Sequence, residues 1–195
     1  MTDLKLLAGW VKIYDNAITD EFCDKIINLY ESPTNNKGKY DESWRRCGEY
    51  SKLDSTEYWT EFVNIIRTTS NRYKNEVGNG TLSAVNTIEA SNIFRYDVDP
   101  EKPHFFRRHA DNWNFPTTSR QLSIIVYLND VAEGGETVFT DLGISVTPKK
   151  GRILVFPSFC LFMHGGEPPK SNSKYIVVTW LHFDGTGHAY RVHRM

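Results

Sequence analysis

Three residues in the second half of the sequence have the types and spacing to hold a metal. His109 and Asp111 stand in "HFFRRHADNWNF", and His164 follows 55 residues later in "FCLFMHGGEPP". In an extended segment residues i and i+2 point to the same side, so one ion is within reach of both His109 and Asp111. The triplet alone is weak evidence. The chain has six histidines, and it carries a second His-X-Asp, His182-Phe183-Asp184, at the end of a strand-like run with no later ligand, which reads as structural. His164 changes the weight, because it lies just past an apolar strand and just before a Gly-Gly turn. Two imidazoles and one carboxylate form the facial set that suits a non-haem Fe(II) and leaves three positions open for a cosubstrate and O2. A zinc hydrolase is the competing reading of the same ligands. It lacks an evident general base and leaves Lys174 without a role. That lysine opens the strand-like run "KYIVVTWLHF" ten residues after His164, and in a small barrel its ammonium points inward among apolar walls. A buried cation needs a partner, and a dicarboxylate supplies one. Tyr127, in "VYLND", adds a hydroxyl donor from an opposite strand.

The elements that must position these residues fall into two kinds. The first third reads as helical. Thr19 is an N-cap for the helix in "ITDEFCDKIINLYES", with Asp20 and Glu21 in the first turn and Phe22, Ile26, Ile27 and Tyr30 on one face. Asp54 and Glu57 resemble a capping box for a second helix that carries Trp59, Phe62, Val63, Ile66 and Tyr73 and ends at Gly78. Between them "PTNNKGKYDES" reads as a polar loop. Trp44, the segment "SWRRCGEYSKL" and Trp113 read as surface, with a cover over the substrate as their functional reading. From residue 87 the rhythm changes to short β-branched and aromatic runs: "IEASNIFRYDV", "QLSIIVYLND", "ETVFTDL", "RILVFPSF" and "KYIVVTWLHF". No helical pattern of 10–15 residues separates consecutive runs, so a parallel βαβ sheet is not expected. The expected fold is α+β, mainly β. A double-stranded β-helix, or jelly roll, of about residues 87–184 has the helical support of 18–78 packed on one face, in a single domain over 1–195.

Composition narrows the function classes. The 23 basic and 24 acidic residues leave a net charge of −1, so nucleic acid and anionic membranes are not expected partners. No apolar run reaches the roughly 20 residues of a membrane span, and the first residues do not read as a signal peptide. Three widely spaced cysteines, Cys23, Cys47 and Cys160, suit a reducing compartment. The expectation is a soluble, cytoplasmic protein.

The segments "SRQLSIIVYLNDVAEGGETVF", "VTPKKGRILVFPS", "HGGEPP" and "SKYIVVTW" resemble the core of the Fe(II)/2-oxoglutarate-dependent dioxygenases, in their prolyl 4-hydroxylase-like branch. "VKIYDNAITDEFCDKIINLYES" is similar to that branch's opening strand and helix, so the resemblance spans roughly residues 10–184. It implies that His109, Asp111 and His164 hold Fe(II), and that Lys174 and Tyr127 meet the far carboxylate of 2-oxoglutarate. Tyr96 corresponds to a further tyrosine lining the site. Hydroxylation of an unactivated C–H would follow, with O2 consumed, succinate and CO2 released, and ascorbate as an accessory. The implied partner is a prolyl residue in a peptide or protein. The same chemistry on a free amino acid or small metabolite, and a metal-binding jelly roll without turnover, stand as alternatives. Phe106 departs from the pattern, since many members carry tyrosine three residues before the first ligand histidine; the difference bears on substrate choice. Asn112, after "RRHAD", looks closer to the oxygen-sensing than to the collagen-modifying hydroxylases.

Overall fold

The computed structural model describes residues 5–35, 37–78, 80–114, 117–185 and 192–194. A short helix α1 (Lys5–Ala8) leads into strand β1 (Lys12–Tyr14) and helix α2 (Asp20–Glu31). Next come β2 (Gly38–Asp41), β3 (Arg45–Lys52) and the long helix α3 (Trp59–Val77). The remaining strands are β4 (Val85–Glu89), β5 (Asn92–Tyr96), β6 (Phe105–His109), β7 (Arg120–Tyr127) and β8 (Thr137–Phe139). They continue through β9 (Ile144–Val146), β10 (Ile153–Pro157), β11 (His164–Gly166), β12 (Lys174–Phe183) and β13 (Val192–Arg194). No helix among the described residues is long and apolar enough to cross a membrane.

Every strand pairing is antiparallel, in the order β1-β10-β7-β12-β5-β3-β6-β11-β8-β9, with β2 beside β3 and β4 between β12 and β13. This sheet curls on itself. Phe139 of β8 and Phe156 of β10 lie far apart in that order, yet their rings meet edge to face with centroids 4.9 Å apart. The alternation of β7 and β12 separates two cores. Ile124, Val126, Val177 and Leu181 face the helices and pack with Phe22, Ile26, Phe62, Ile66 and Tyr73. Ile125, Tyr127 and Ile176 face into the roll, with Phe94, Tyr96, Phe139 and Phe156. The mainly β jelly roll with helices on one face is therefore the fold that the residue patterns called for.

Three local expectations are corrected. The segment expected to be polar loop and surface cover is the hairpin β2–β3, and β3 is inserted between β5 and β6. Its backbone groups are satisfied by neighbours remote in sequence, which local composition does not register. Helix α3 begins at Trp59, without a side-chain cap, rather than at Asp54. The preceding residues form turns in which the Thr56 and Trp59 amides donate to Leu53 and Thr56. The run "IEASNIFRYDV" is two strands, both paired to β12, because the chain breaks at Ala90-Ser91, where the Ser91 carbonyl accepts from Leu53. By contrast Thr19 caps α2 as expected, its hydroxyl accepting from the Phe22 amide at 3.2 Å, and α3 closes on Gly78 at φ 64°.

Candidate active site

β6 and β11 run side by side with His109 directly opposite His164, and this pairing brings the two imidazoles together. Close approach of the strands needs Gly165, where an added Cβ would lie 3.1 Å from the Phe106 carbonyl. Asp111 sits just beyond β6 in a turn tied to the end of β10, since the amides of Asp111 and Asn112 both donate to the Ser158 carbonyl. The ring centroids of His109 and His164 are 4.4 Å apart. Nε2 of His109 lies 3.4 Å from Oδ1 of Asp111, and Nε2 of His164 lies 3.7 Å from Oδ2. One ligand atom from each of the three falls within 4.8 Å of the others.

Backbone carbonyls set the tautomers. Nδ1 of His109 is 2.7 Å from the Arg107 carbonyl, and Nδ1 of His164 is 3.1 Å from that of Phe162. A carbonyl only accepts, so Nδ1 carries the proton on each ring and Nε2 keeps its lone pair. Burial is the main reason that His164 is pushed down to about 4, against the pull of Asp111, so the ring is neutral at physiological pH. Burial opposes ionisation of Asp111 too. The His164 and His109 rings and the Ser123 hydroxyl outweigh it and hold the carboxyl well below the usual range. Ser123 donates to Oδ2 at 2.5 Å and is itself bonded to Ser158. Phe106 stacks flat on His109, centroids 3.7 Å apart and planes 20° from parallel, and fixes that ring's tilt.

The three residues form one wall of a pocket that also takes in Lys174, Tyr96, Thr137, Arg45 and Trp180. Lys174, Ile176, Val178 and Trp180 all line it, which is the period-two alternation of β12. Lys174 is 2% exposed, and its Nζ donates to the Gly135 carbonyl at 2.9 Å and lies 4.7 Å from the Tyr96 ring centre. Burial pushes the ammonium down to about 8, with Glu136 and Glu167 pulling the other way. The Tyr127 hydroxyl donates to Thr137 Oγ1 at 2.7 Å, and Thr137 lines the pocket. A fully buried hydroxyl must find a partner, and β8 offers the nearest.

Several residues in or behind the pocket had no signal of their own. Arg45 comes from the segment taken for surface, and Thr137 and Ser123 are ordinary strand residues until the roll closes. Arg120 supports the Asp111 turn from behind. It pairs with Glu89 at 2.6 Å, reaches the Asp111 carbonyl at 3.3 Å and lies over the Trp180 ring at 3.5 Å. His182 of the second His-X-Asp triplet is fully buried, 2.9 Å from Glu89, while Asp184 accepts from Asn86. That triplet converges on no common point.

Residues 91–182 match the family described as the 2OG-Fe(II) oxygenase superfamily. The matched stretch is 92 of the 195 residues, and over it the chain is similar to that superfamily. Prolyl 4-hydroxylase 2 of Arabidopsis thaliana is 24% identical to this chain over 213 residues, covering 88% of this chain and 67% of that one. Prolyl 4-hydroxylase subunit alpha-1 of Gallus gallus is 34% identical over 113 residues, 52% of this chain and 22% of that subunit. The crystal structure of a Pseudomonas putida prolyl-4-hydroxylase matches the fold with a TM-score of 0.69 at 16% identity, covering 93% and 97% of the two chains. The 2OG complex of the viral collagen prolyl hydroxylase from Paramecium Bursaria Chlorella virus-1 matches at 0.65 and 20% identity, covering 89% and 96%. These likenesses support a 2-oxoglutarate- and Fe(II)-dependent dioxygenase of the prolyl 4-hydroxylase-like kind. Its two lone-pair nitrogens and one ionised carboxylate are a donor set that Fe(II) accepts.

Proposed function

We propose that the enzyme hydroxylates a prolyl residue of a peptide or protein, with His109, Asp111 and His164 as the iron ligands and residues 1–195 acting as one catalytic domain. The observation that carries the assignment of ligands is the convergence of three ligand atoms within 4.8 Å on a pocket that also holds a buried ammonium. When bound, Fe(II) and 2-oxoglutarate supply the oxidising chemistry that converts C–H to C–OH with O2, releasing succinate and CO2. The chain's own groups bind and orient. Asp111 is held ionised and His164 neutral, so neither ligand has to shed a proton at neutral pH. Lys174 pairs with the far carboxylate of the cosubstrate. Thr137, whose oxygen already accepts from Tyr127, directs its own proton to the same carboxylate, so Tyr127 acts through Thr137. Ile125, Ile176 and Val178 wall the pocket against water, which strengthens the ion pair inside it.

The prolyl target is supported by the relatives, whose names are those of prolyl 4-hydroxylases, and by a Trichoplax adhaerens prolyl hydroxylase of the same fold in complex with a hypoxia inducible factor peptide. Free cysteines, two of them buried, accord with a reducing, cytoplasmic setting. The test is anaerobic addition of Fe(II) and then 2-oxoglutarate to metal-free protein. A visible charge-transfer band of the chelated ketoacid is expected, absent in His109→Ala and weakened in Lys174→Ala. With O2 admitted, a proline-containing peptide should raise succinate release and gain one oxygen by mass. Folded protein that shows no band rules out the ligand assignment.

A further inference from the structure

We infer that Arg45 recognises a carboxylate on the substrate, placed next to the carbon that is hydroxylated; the inference rests on the oxygenase reading above. Arg45 lines the same pocket as the three candidate ligands. Its surroundings are aromatic, with the guanidinium 4.4 Å from the Tyr40 ring centre, 4.2 Å from Phe94 and 4.6 Å from Phe106. Aromatic faces attract the charge but supply no lone pair. Its one side-chain hydrogen bond among the described residues is long, 3.5 Å to the Tyr96 hydroxyl, and its Nε is shut off from water without a partner. A second donor of this pocket, Nε1 of Trp180, is buried and unpaired in the same way. Donors enclosed without acceptors are costly, and a guanidinium is shaped to give two parallel bonds to a carboxylate.

Charge gives a second, independent argument. The two positive charges of iron are matched by the two negative charges of 2-oxoglutarate, Asp111 cancels Lys174, and Arg45 is left over. Nearby acids are engaged elsewhere, since Glu89 is paired with Arg120 and His182, while Glu136 and Glu167 act on Lys174 from outside the pocket lining. The cosubstrate's far carboxylate belongs to Lys174, which is packed on the ring face of Tyr96 while Arg45 meets its hydroxyl end. A single negative group on the substrate completes the site. It is the side chain of an acidic residue flanking the target proline or the free carboxylate of a terminal proline.

Two matched pairs of probes separate these sources: an acetylated and amidated tetrapeptide with Pro-Glu or Pro-Gln at its centre, and an acetylated tripeptide ending in Pro as the acid or as the amide. Binding is read without oxygen from the perturbation of the Fe(II)–2-oxoglutarate band, and turnover from succinate release. In one pair the acid should bind about tenfold or more tightly than its neutral partner. Arg45→Gln should erase that preference and Arg45→Lys should keep part of it, both with near-normal 2-oxoglutarate affinity. A preference that survives Arg45→Gln, a wild type that binds neither pair or prefers neither acid, or an Arg45→Gln that loses 2-oxoglutarate as severely as Lys174→Ala, overturns the inference. A wild type that forms the band without acid preference sinks this inference alone; no band at all sinks the oxygenase assignment with it.

Discussion

At the scale of single residues, Lys174 is the most informative group. Its ammonium is enclosed and bonded to a carbonyl, and burial pushes it down from the ordinary lysine range to about 8. Below pH 8 the free enzyme carries the charge that a dicarboxylate needs. Above it the lysine is neutral before the cosubstrate arrives, and binding must take up a proton. The Kd for 2-oxoglutarate is therefore expected to be flat below about pH 8 and to rise toward tenfold per unit above it, by anaerobic titration. Lys174→Ala should remove that dependence and weaken binding by a factor on the order of 10² to 10³, with the iron site intact. A steep dependence that persists in the variant would point to another group. Lys174 was legible in the sequence because a lysine opening an otherwise apolar run demands a partner. Tyr127 was legible only as a pocket-side hydroxyl, and the interposed Thr137 was not, because nothing local says which hydroxyl stands in front.

At the scale of elements, the turn before β8 holds Lys174 in place. Gly134 and Gly135 have φ of 73° and 76°, and a Cβ on Gly134 would lie 2.4 Å from the Pro168 carbonyl. Gly143 has φ 65° but open space around it. Gly134→Ala should cost about 3 kcal/mol or more in urea unfolding and loosen 2-oxoglutarate binding, whereas Gly143→Ala should cost about 1 kcal/mol and leave binding unchanged. Equal costs would mean that the dihedral alone matters and the close approach does not. In α3, Ile66 is fully buried against the sheet, and Ile66→Ala should cost about 2–5 kcal/mol without touching the pocket. The apolar strands β7, β10 and β12 and both long helices could be read from their residue patterns. β3, β6 and β11 could not, since they are short or polar and exist through their partners: β11 is three residues, two of them glycine.

At the scale of the whole molecule, the candidate ligands and their hydrogen bonds link β6 and β11 to β7 and β10. His109 and His164 bridge β6 and β11, and Asp111 is fastened through Ser158 to β10 and through Ser123 to β7. A divalent ion bound there is linked to folding, so Fe(II) at 100 times its Kd should stabilise the metal-free protein by about 2.7 kcal/mol. The gain should appear as a rise in Tm under anaerobic conditions and vanish in His109→Ala. A rise of the same size in that variant would place the ion elsewhere.

The amino-acid sequence by itself determined which chemistry the chain carries. Ligand types, an inward lysine and glycine turns follow from local rules of extended backbone, charge burial and φ, and these need no knowledge of the partner strand. The curled sheet decided the rest. Only its closure sets His109 opposite His164, carries Arg45 from an unremarkable segment into the pocket and puts Thr137 ahead of Tyr127. Those placements depend on strand register between residues many positions apart, and register is a property of the packed whole.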